Sequence, residues 1–331
     1  MELVHGSGGR AMADLIDGLF VKAFSNPWLD KRNDQACFSV PAGRLVMTTD
    51  SFVVSPLFFP GGDIGDLAVN GTLNDVAVAG ARPLYLSAGF ILEEGFPLKD
   101  LKRIVESMAA ASGNAGVPIV TGDTKVVERG KGDGVFINTT GVGIIEADVD
   151  ISADRAQPGD AILLSGSIGD HGVAVMASRN HLKFETAITS DTAALHGLVA
   201  AMLSATTRIH AMRDPTRGGL ATTLNEIAEQ SGVGILLDED RIPIKKEVLA
   251  VCELLGLDPL YVANEGKLVA ICAAEDAEGL LAAMSKHPLG KDAAIIGKVV
   301  EDPRSYVQMR TALGGKRIVQ WLTGEQLPRI C

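Results

Sequence analysis

The sequence predicts two domains built from alternating strands and helices. Its 331 residues exceed what one ordinary core organises. Strand-like and helix-like segments alternate along most of the chain. A polar, turn-rich break over residues 147–159, with Asp148, Asp150, Asp154, Arg155, Pro158 and Gly159, separates two such runs. At 47% hydrophobic and 21% charged residues, the composition is that of a folded globular protein. The net charge of −11 opposes nucleic-acid and anionic-membrane binding. The longest apolar runs, such as 83–92, are too short to span a bilayer. No basic-then-apolar leader opens the chain, so a cytoplasmic protein is expected, in which four scattered cysteines stay reduced.

In chain order, His5, Gly6, Ser7, Gly8, Gly9 and Arg10 precede an apolar-periodic helix over 12–24. The stretch lacks P-loop spacing, leaving a phosphate cradle and a flexible end both open. Residues 45–49 read as a strand that finishes at Asp50. Residues 63–80 read as a helix on which Asp66, Asn70 and Asn74 recur every four positions, with Asp63 one turn earlier and Asp75 beside Asn74. A solvated helix face usually carries Lys, Glu and Arg; short oxygen-bearing side chains suit a hard cation such as Mg²⁺ instead. A strand over 84–91, a helix over 98–115 and a strand over 119–127 follow. Gly122 inside that last strand marks a bulge or a close backbone approach. Asp123 and Lys125, two apart, share one face as a functional pair or as an exposed ion pair. A strand over 136–145 completes the first run.

Beyond the break, a strand over 161–165 enters the glycine-rich turn 166–172, whose amides can face an anion. This turn contains His171, read first as a hydrogen-bonded structural residue and second as a catalytic one. Helices over 191–203 and 219–230 flank the turn Arg213-Asp214-Pro215-Thr216-Arg217-Gly218-Gly219. A strand over 234–237 and a helix over 246–255 lead to residues 261–268, where Glu265 sits among apolar strand residues. Desolvation there raises a carboxyl pKa, which makes Glu265 a candidate base. After a strand over 317–322 the chain ends in a tail closing on Pro328, Arg329, Ile330 and Cys331. Seven residues beyond Gly324 can span roughly 23 Å at about 3.3 Å each. A tail without bulky anchors then carries Cys331 either as a stray thiol or as a carrier thiol on a swinging arm.

The segments HGSGGR, TTDSFVV, GGDIG, NGTLND, TGDTKVV, SGSIGDHG, RDPTRGGL, ANEGKL and the terminal PRIC carry a resemblance that covers essentially the whole chain. It resembles the hydrogenase maturation factor HypE family, in the superfamily of aminoimidazole-ribotide synthase and selenophosphate synthetase. The resemblance implies an α/β (α+β), two-domain PurM-like fold. The N-terminal sheet forms a barrel across a homodimer, and an α/β C-terminal domain lies beside it. The corresponding segments are a glycine-rich N-terminus and leading helix (1–36), an ATP-binding and dimerisation domain (37–155), a C-terminal domain (156–316) and a tail (317–331).

The implied activity is ATP-dependent dehydration of an S-carboxamide on Cys331 to an S-thiocyanate, supplying cyanide to the iron of a [NiFe]-hydrogenase. The implied cofactors are ATP and Mg²⁺, and the implied partners are the carbamoyltransferase HypF and the HypC–HypD iron scaffold. By the same resemblance Asp50, Asp75 and Asp214 hold Mg²⁺. Asp63, Asn74, Asp123, Thr124 and the stretch from His5 to Arg10 attend the ion or the phosphates, and Lys125 and Glu265 serve the chemistry at Cys331. Two other readings are a small-molecule kinase or selenophosphate-type synthetase of the same fold, which leaves Cys331 idle, and a non-enzymatic carrier, which has no use for the Asp/Asn array.

Overall fold

The computed structural model of the protein describes residues 1–331 other than 7–8, 32, 34, 147, 180–186 and 325–328. A 3-10 turn (Leu3–Gly6) precedes helix α1 (Arg10–Leu15), which passes through a π-turn (Ile16–Val21) into α2 (Lys22–Phe24). Strand β1 (Arg44–Phe52), the short hairpin β2 (Phe58–Phe59) and β3 (Gly62–Asp63), helix α3 (Ile64–Val78), β4 (Arg82–Glu93), α4 (Leu98–Ala115), β5 (Ile119–Val127) and β6 (Val135–Ile145) form the N-terminal part. Four of these strands make a sheet in the order β1-β6-β4-β5.

Glycine lets α3 settle on this sheet. A Cβ at Gly143 would lie 2.3 Å from a Val76 methyl, and one at Gly141 would meet Thr72 at 2.9 Å. The contact is closed by the Thr139 hydroxyl, which donates to the Ala68 carbonyl at 2.9 Å. The opposite sheet face is open at one end, where Leu45 is 60% and Met47 73% exposed. Gly122 needs its missing side chain, because a Cβ there would stand 2.3 Å from the Ala88 carbonyl oxygen. The close approach expected from sequence is therefore present.

The C-terminal part contains β7 (Ala161–Leu164), α5 (Asp170–Ala177), α6 (His196–Ala205), β8 (Ile209–Arg213), α7 (Gly219–Ser231), β9 (Gly234–Asp238), α8 (Lys246–Leu255), β10 (Val269–Cys272), α9 (Ala277–Lys286), β11 (Ala294–Val300), β12 (Val307–Arg310) and β13 (Lys316–Ile318). Its seven strands run in the order β13-β12-β9-β11-β7-β10-β8. Every residue of β7 and of β10 is buried, as befits strands covered on both faces. One face packs Leu224 and Ile227 of α7. The other packs Leu198 and Met202 of α6 with Leu280 and Met284 of α9. Val173 and Val175 of α5 belong instead to the cluster that holds Phe52 and Leu67, so the two parts share a core.

Three expectations shift. The helix expected from 191 starts only at His196, because the side chain of Asp191 and the carbonyl of Ala193 are bonded elsewhere. Residues 262–268 form a loop rather than a strand, and a Cβ at Gly266 would collide with the Asp191 carbonyl at 1.7 Å. Asp50 lies inside β1 and not at its end. The helix expected from 63 is present, and Asp63 is its N-cap. Its carboxylate accepts from the amides of Gly65 and Asp66, while Asp66 returns a bond to the Asp63 amide at 2.6 Å. This capping box satisfies donors that the first turn leaves free. Replacing Asp63 with Ala is expected to lower stability by about 1 to 2 kcal/mol, read as a lower urea midpoint with an unchanged slope.

Candidate active site

Four carboxylates and the terminal thiol act on one another where β1, α3, the turn after β8 and the loop before β10 converge. Burial raises the pKa of Asp75; a hydrogen bond from Thr48 opposes the rise and the charge of Asp50 adds to it. Asp214 is pushed up to about 7, first by burial and then by Asp75, with Asp50 contributing. Burial lifts Glu265 well above the usual carboxyl range, and Asp214, Asp191, Asp50 and Asp75 lift it further. The Cys331 thiol is also raised by burial and then by Glu265, Asp50 and Asp214, while Arg217 pulls it down. The expected thiol, base and three aspartates thus share one site.

Each group is set by its own support. The Thr48 hydroxyl donates to Asp75 Oδ2 at 2.9 Å, so the even-numbered side chains of β1 face α3 and Asp50 faces the same way. The Asp214 turn is pinned by Asn264, whose backbone and side-chain nitrogens both donate to the Pro215 carbonyl at 3.1 and 2.9 Å. Gly218 and Gly219, at φ +74° and +60°, let this turn enter α7. The amide of Glu265 donates to Asp191 Oδ1 at 3.1 Å, and Lys267 pairs with the other Asp191 oxygen at 3.0 Å. Burial works against the Asp191 charge, yet Lys267 keeps its pKa below the ordinary value. Glu265 Oε1 is buried and has no hydrogen-bond partner.

The tail corrects an expectation. It does have anchors, and it is inserted. Ile330 is 5% exposed within the shared core. The Val53 amide donates to an oxygen of the Cys331 terminal carboxylate at 3.3 Å, and the Ser55 amide to the Arg329 carbonyl at 3.1 Å. Arg329 donates through Nε to the Val53 carbonyl at 2.9 Å and pairs with Asp133. These bonds hold Arg329 at φ +54°, a left-handed conformation that costs a side-chain-bearing residue about 1 to 3 kcal/mol. His171, wholly buried, hydrogen-bonds through Nε2 to the Ile330 carbonyl at 2.8 Å and through Nδ1 to the Ser190 hydroxyl at 2.8 Å. A cavity of about 270 Å³ opens beside the thiol between Ser51, Arg217, Tyr261 and Leu322.

Other expected site residues stand apart. Asn74 is spent on structure: its amide donates to the carbonyls of Ala193 and Glu265, each at 3.0 Å, and accepts from the Leu195 amide at 2.8 Å. Asp63 is committed to its cap. Asp123 pairs with Lys125 at 2.7 Å, and this bond holds the Asp123 pKa down. Both lie on β5, the edge of the sheet opposite β1. In the order β1-β6-β4-β5 three strand spacings of ~4.8 Å, about 14 Å, separate β5 from β1, and the tail that carries the thiol is bonded just past the end of β1. Thr124 is buried on the other face of β5. Gly6 packs on Val126 of the same strand, His5 is tied to Glu2, and Arg10 pairs with exposed Asp14. Gly9 caps α1; Ser7 and Gly8 lie outside the described residues.

Among the described residues no three His, Cys, Asp or Glu side chains converge with metal-ligand geometry. The donor chemistry nevertheless fits a hard divalent ion. It is all oxygen, its members repel one another, and Glu265 Oε1 is orphaned. Mg²⁺ typically takes only one or two carboxylates and completes its shell with water and substrate phosphates.

The comparisons with known proteins agree with this arrangement. The N-terminal domain of AIR synthase related proteins matches residues 32–145, and their C-terminal domain matches residues 157–310. A carbamoyl dehydratase HypE of Azotobacter vinelandii is 68% identical over all of this chain and 97% of that protein. A crystal structure of the hydrogenase maturation protein HypE in complex with ATP superposes with a TM-score of 0.96 at 53% identity, covering 100% of this chain and 99% of that one. A HypE–HypF complex superposes at 0.82 and 49% identity over 93% and 99%. The chain belongs to the carbamoyl dehydratase HypE family.

A proton sits on Asp214 more tightly in the folded chain than at the ordinary value of 3.8. Its stabilising contribution is complete below about pH 4 and is lost as pH rises through about 7. The buried neutral histidines act in the opposite sense, so comparison with Asp214→Asn isolates the effect. In chelator, urea midpoints of the native chain should fall relative to those of Asp214→Asn between pH 5 and pH 8; a parallel pair of curves would refute it.

Proposed function

We propose that this chain is the dehydratase of [NiFe]-hydrogenase maturation, converting an S-carboxamide on its own Cys331 into an S-thiocyanate. The observation that carries the reading is the inserted C-terminal thiol among Glu265, Asp50, Asp214 and Arg217. A freely diffusing acceptor needs no such arrangement, which weighs against the small-molecule kinase reading. A bare carrier needs no buried carboxylate cluster.

The reaction must strip both protons from the carboxamide nitrogen and remove its oxygen. Bound Mg-ATP supplies the phosphoryl group that turns this oxygen into a leaving group. Asp50, Asp75 and Asp214 would hold the Mg²⁺. Glu265, whose charge acts on the Cys331 thiol, would be the proton acceptor once a nearby cation offsets the burial and the repulsion that raise its pKa. Arg217 makes no hydrogen bond or ion pair with described residues and lines the cavity at the thiol, where it can face the developing negative charge on oxygen.

The reading extends to partners. HypF, seen in complex with a relative, would load the thiol, and the HypC–HypD scaffold would take the cyanide, in a reducing cytoplasm that keeps Cys331 free. Exposed Leu45 and Met47 on the open sheet support a homodimer closed face to face. Because Lys125 lies on the far edge from its own Cys331, its part at the thiol belongs to the second copy.

Intact-mass measurement after incubation with HypF, carbamoyl phosphate and Mg-ATP should show the carbamoyl adduct lose one water. In Glu265→Gln loading is expected to persist while that loss slows by roughly 10²- to 10⁴-fold; dehydration at the native rate would remove Glu265 from the chemistry. A mixture of Lys125→Ala and Cys331→Ala chains, each inactive alone, should regain dehydration in mixed dimers. No recovery would place Lys125 in the same chain as its thiol or outside the site.

A further inference from the structure

The proposed function leaves one buried group without a task. His171 touches no substrate, yet its ring bridges two places that the chemistry must hold together. The Ile330 carbonyl can only accept, so Nε2 carries the proton and donates to it at 2.8 Å. Nδ1 is then the acceptor, and the Ser190 hydroxyl donates to it at 2.8 Å. The Ser190 oxygen accepts in turn from the Thr192 amide at 3.2 Å, and the Ser190 amide is tied to the Pro60 carbonyl at 2.8 Å. Phe59 closes the ring edge-on at 5.4 Å. No rotamer freedom remains for the imidazole.

The next residue of the same loop, Asp191, receives the Glu265 amide at 3.1 Å. Neighbouring residues thus fix the two reacting parties: Ser190 through His171 sets the tail one residue before Cys331, and Asp191 sets the backbone of Glu265. Loop, tail and base share one short frame.

We propose that His171 and Ser190 are positioning residues for the dehydration step, forming a relay that holds the Ile330 carbonyl and so keeps the Cys331 thiol inserted at the level of Glu265. This rests on the dehydratase reading for its catalytic consequence, but not for its structural one. When the relay is intact the thiol is held half-buried in the site, and outside reagents reach it readily only once the tail leaves. Loading by a transferase needs the departed tail, whereas dehydration needs the inserted one. Weakening the relay therefore slows dehydration and spares or speeds loading, a split that general destabilisation does not produce.

The test uses the full chain with Cys37→Ser, which removes the exposed thiol and leaves Cys252 and Cys272 buried. Alkylation of Cys331 by N-ethylmaleimide is followed by intact mass and peptide mapping. His171→Ala and Ser190→Ala should each accelerate it by roughly tenfold, the change that follows from losing one buried hydrogen bond. His171→Gln, whose amide nitrogen can donate to the same carbonyl, should return the rate to near native. On carbamoylated protein with Mg-ATP, the alanine variants should dehydrate roughly tenfold more slowly, with loading undiminished.

Native alkylation rates in folded Ser190→Ala and His171→Ala would overturn the relay. So would equal acceleration in His171→Gln, or parallel exposure of Cys252 and Cys272, since either marks loosened packing. If the alkylation results hold but neither carbamoylation nor dehydration is ever seen, the latch stands and the dehydratase reading falls.

Discussion

Negative charge gathered around a half-buried thiol is the constraint on which the rest of this structure depends. Asp50, Asp75, Asp214 and Glu265 act on one another, and burial makes the charges of Asp75, Asp214 and Glu265 more costly. Left to themselves such groups would swing into water. Neutral donors hold them instead, Thr48 on Asp75 and Asn264 under the Asp214 turn, while Arg213 and Arg217 act on the cluster without an ion pair to it and Lys267 stands behind Asp191. No basic side chain forms an ion pair with Glu265 among the described residues, which leaves room for an incoming cation. A site neutralised in advance by Lys or Arg would gain little from Mg²⁺.

The same economy accounts for the hydrogen bonds of Asn74. It sits on α3 of the N-terminal part and bonds the backbone at 193, 195 and 265 of the C-terminal part. An amide can donate and accept at once, so one uncharged side chain closes three backbone groups across the junction. Asp at this position would lose both donor bonds and add a further like charge. The shared core through α5 makes the junction apolar elsewhere. The two parts consequently meet as one packed unit around the site.

Much of this was legible in the sequence, and what was not has physical reasons. Apolar periodicity marked α4 and β5 to the residue, because each buries one face against a long partner. The Asp/Asn stripe of α3 was visible, but its division of labour was not. Asp63 caps, Asn74 clamps and Asp75 serves the site, and only partners distant in sequence distinguish them. Residues 262–268 looked like a strand because a buried loop is as apolar as one. The pairing of Gly266 with Asp191, 75 positions away, is invisible to any local pattern. Glu265 as a candidate base and Cys331 as a possible carrier thiol were read from the residues and the resemblance tied them to one expected reaction, while Arg217 and the His171 contact emerged only from three-dimensional placement.

The tail shows the limit most clearly. Read as a string, Pro328 to Cys331 offered a stiffener and a thiol, and the absence of bulky anchors suggested a swinging arm. In the fold, Ile330 fills a core position and Arg329 is bonded through both its side chain and its carbonyl. Ile330 buried to this degree contributes about 1.5 to 3 kcal/mol of hydrophobic stabilisation, and Arg329 returns part of it through its left-handed backbone. Hydrogen bonds from Val53, Ser55 and His171 add to this hold, and the proposed loading of Cys331 by another protein requires that the hold be released. Stronger anchors would hide Cys331 from its loading partner, and weaker ones would leave the adduct in water away from Glu265. Under the proposed function one cysteine serves two sites in turn, and the strength of this hold sets how it divides between them.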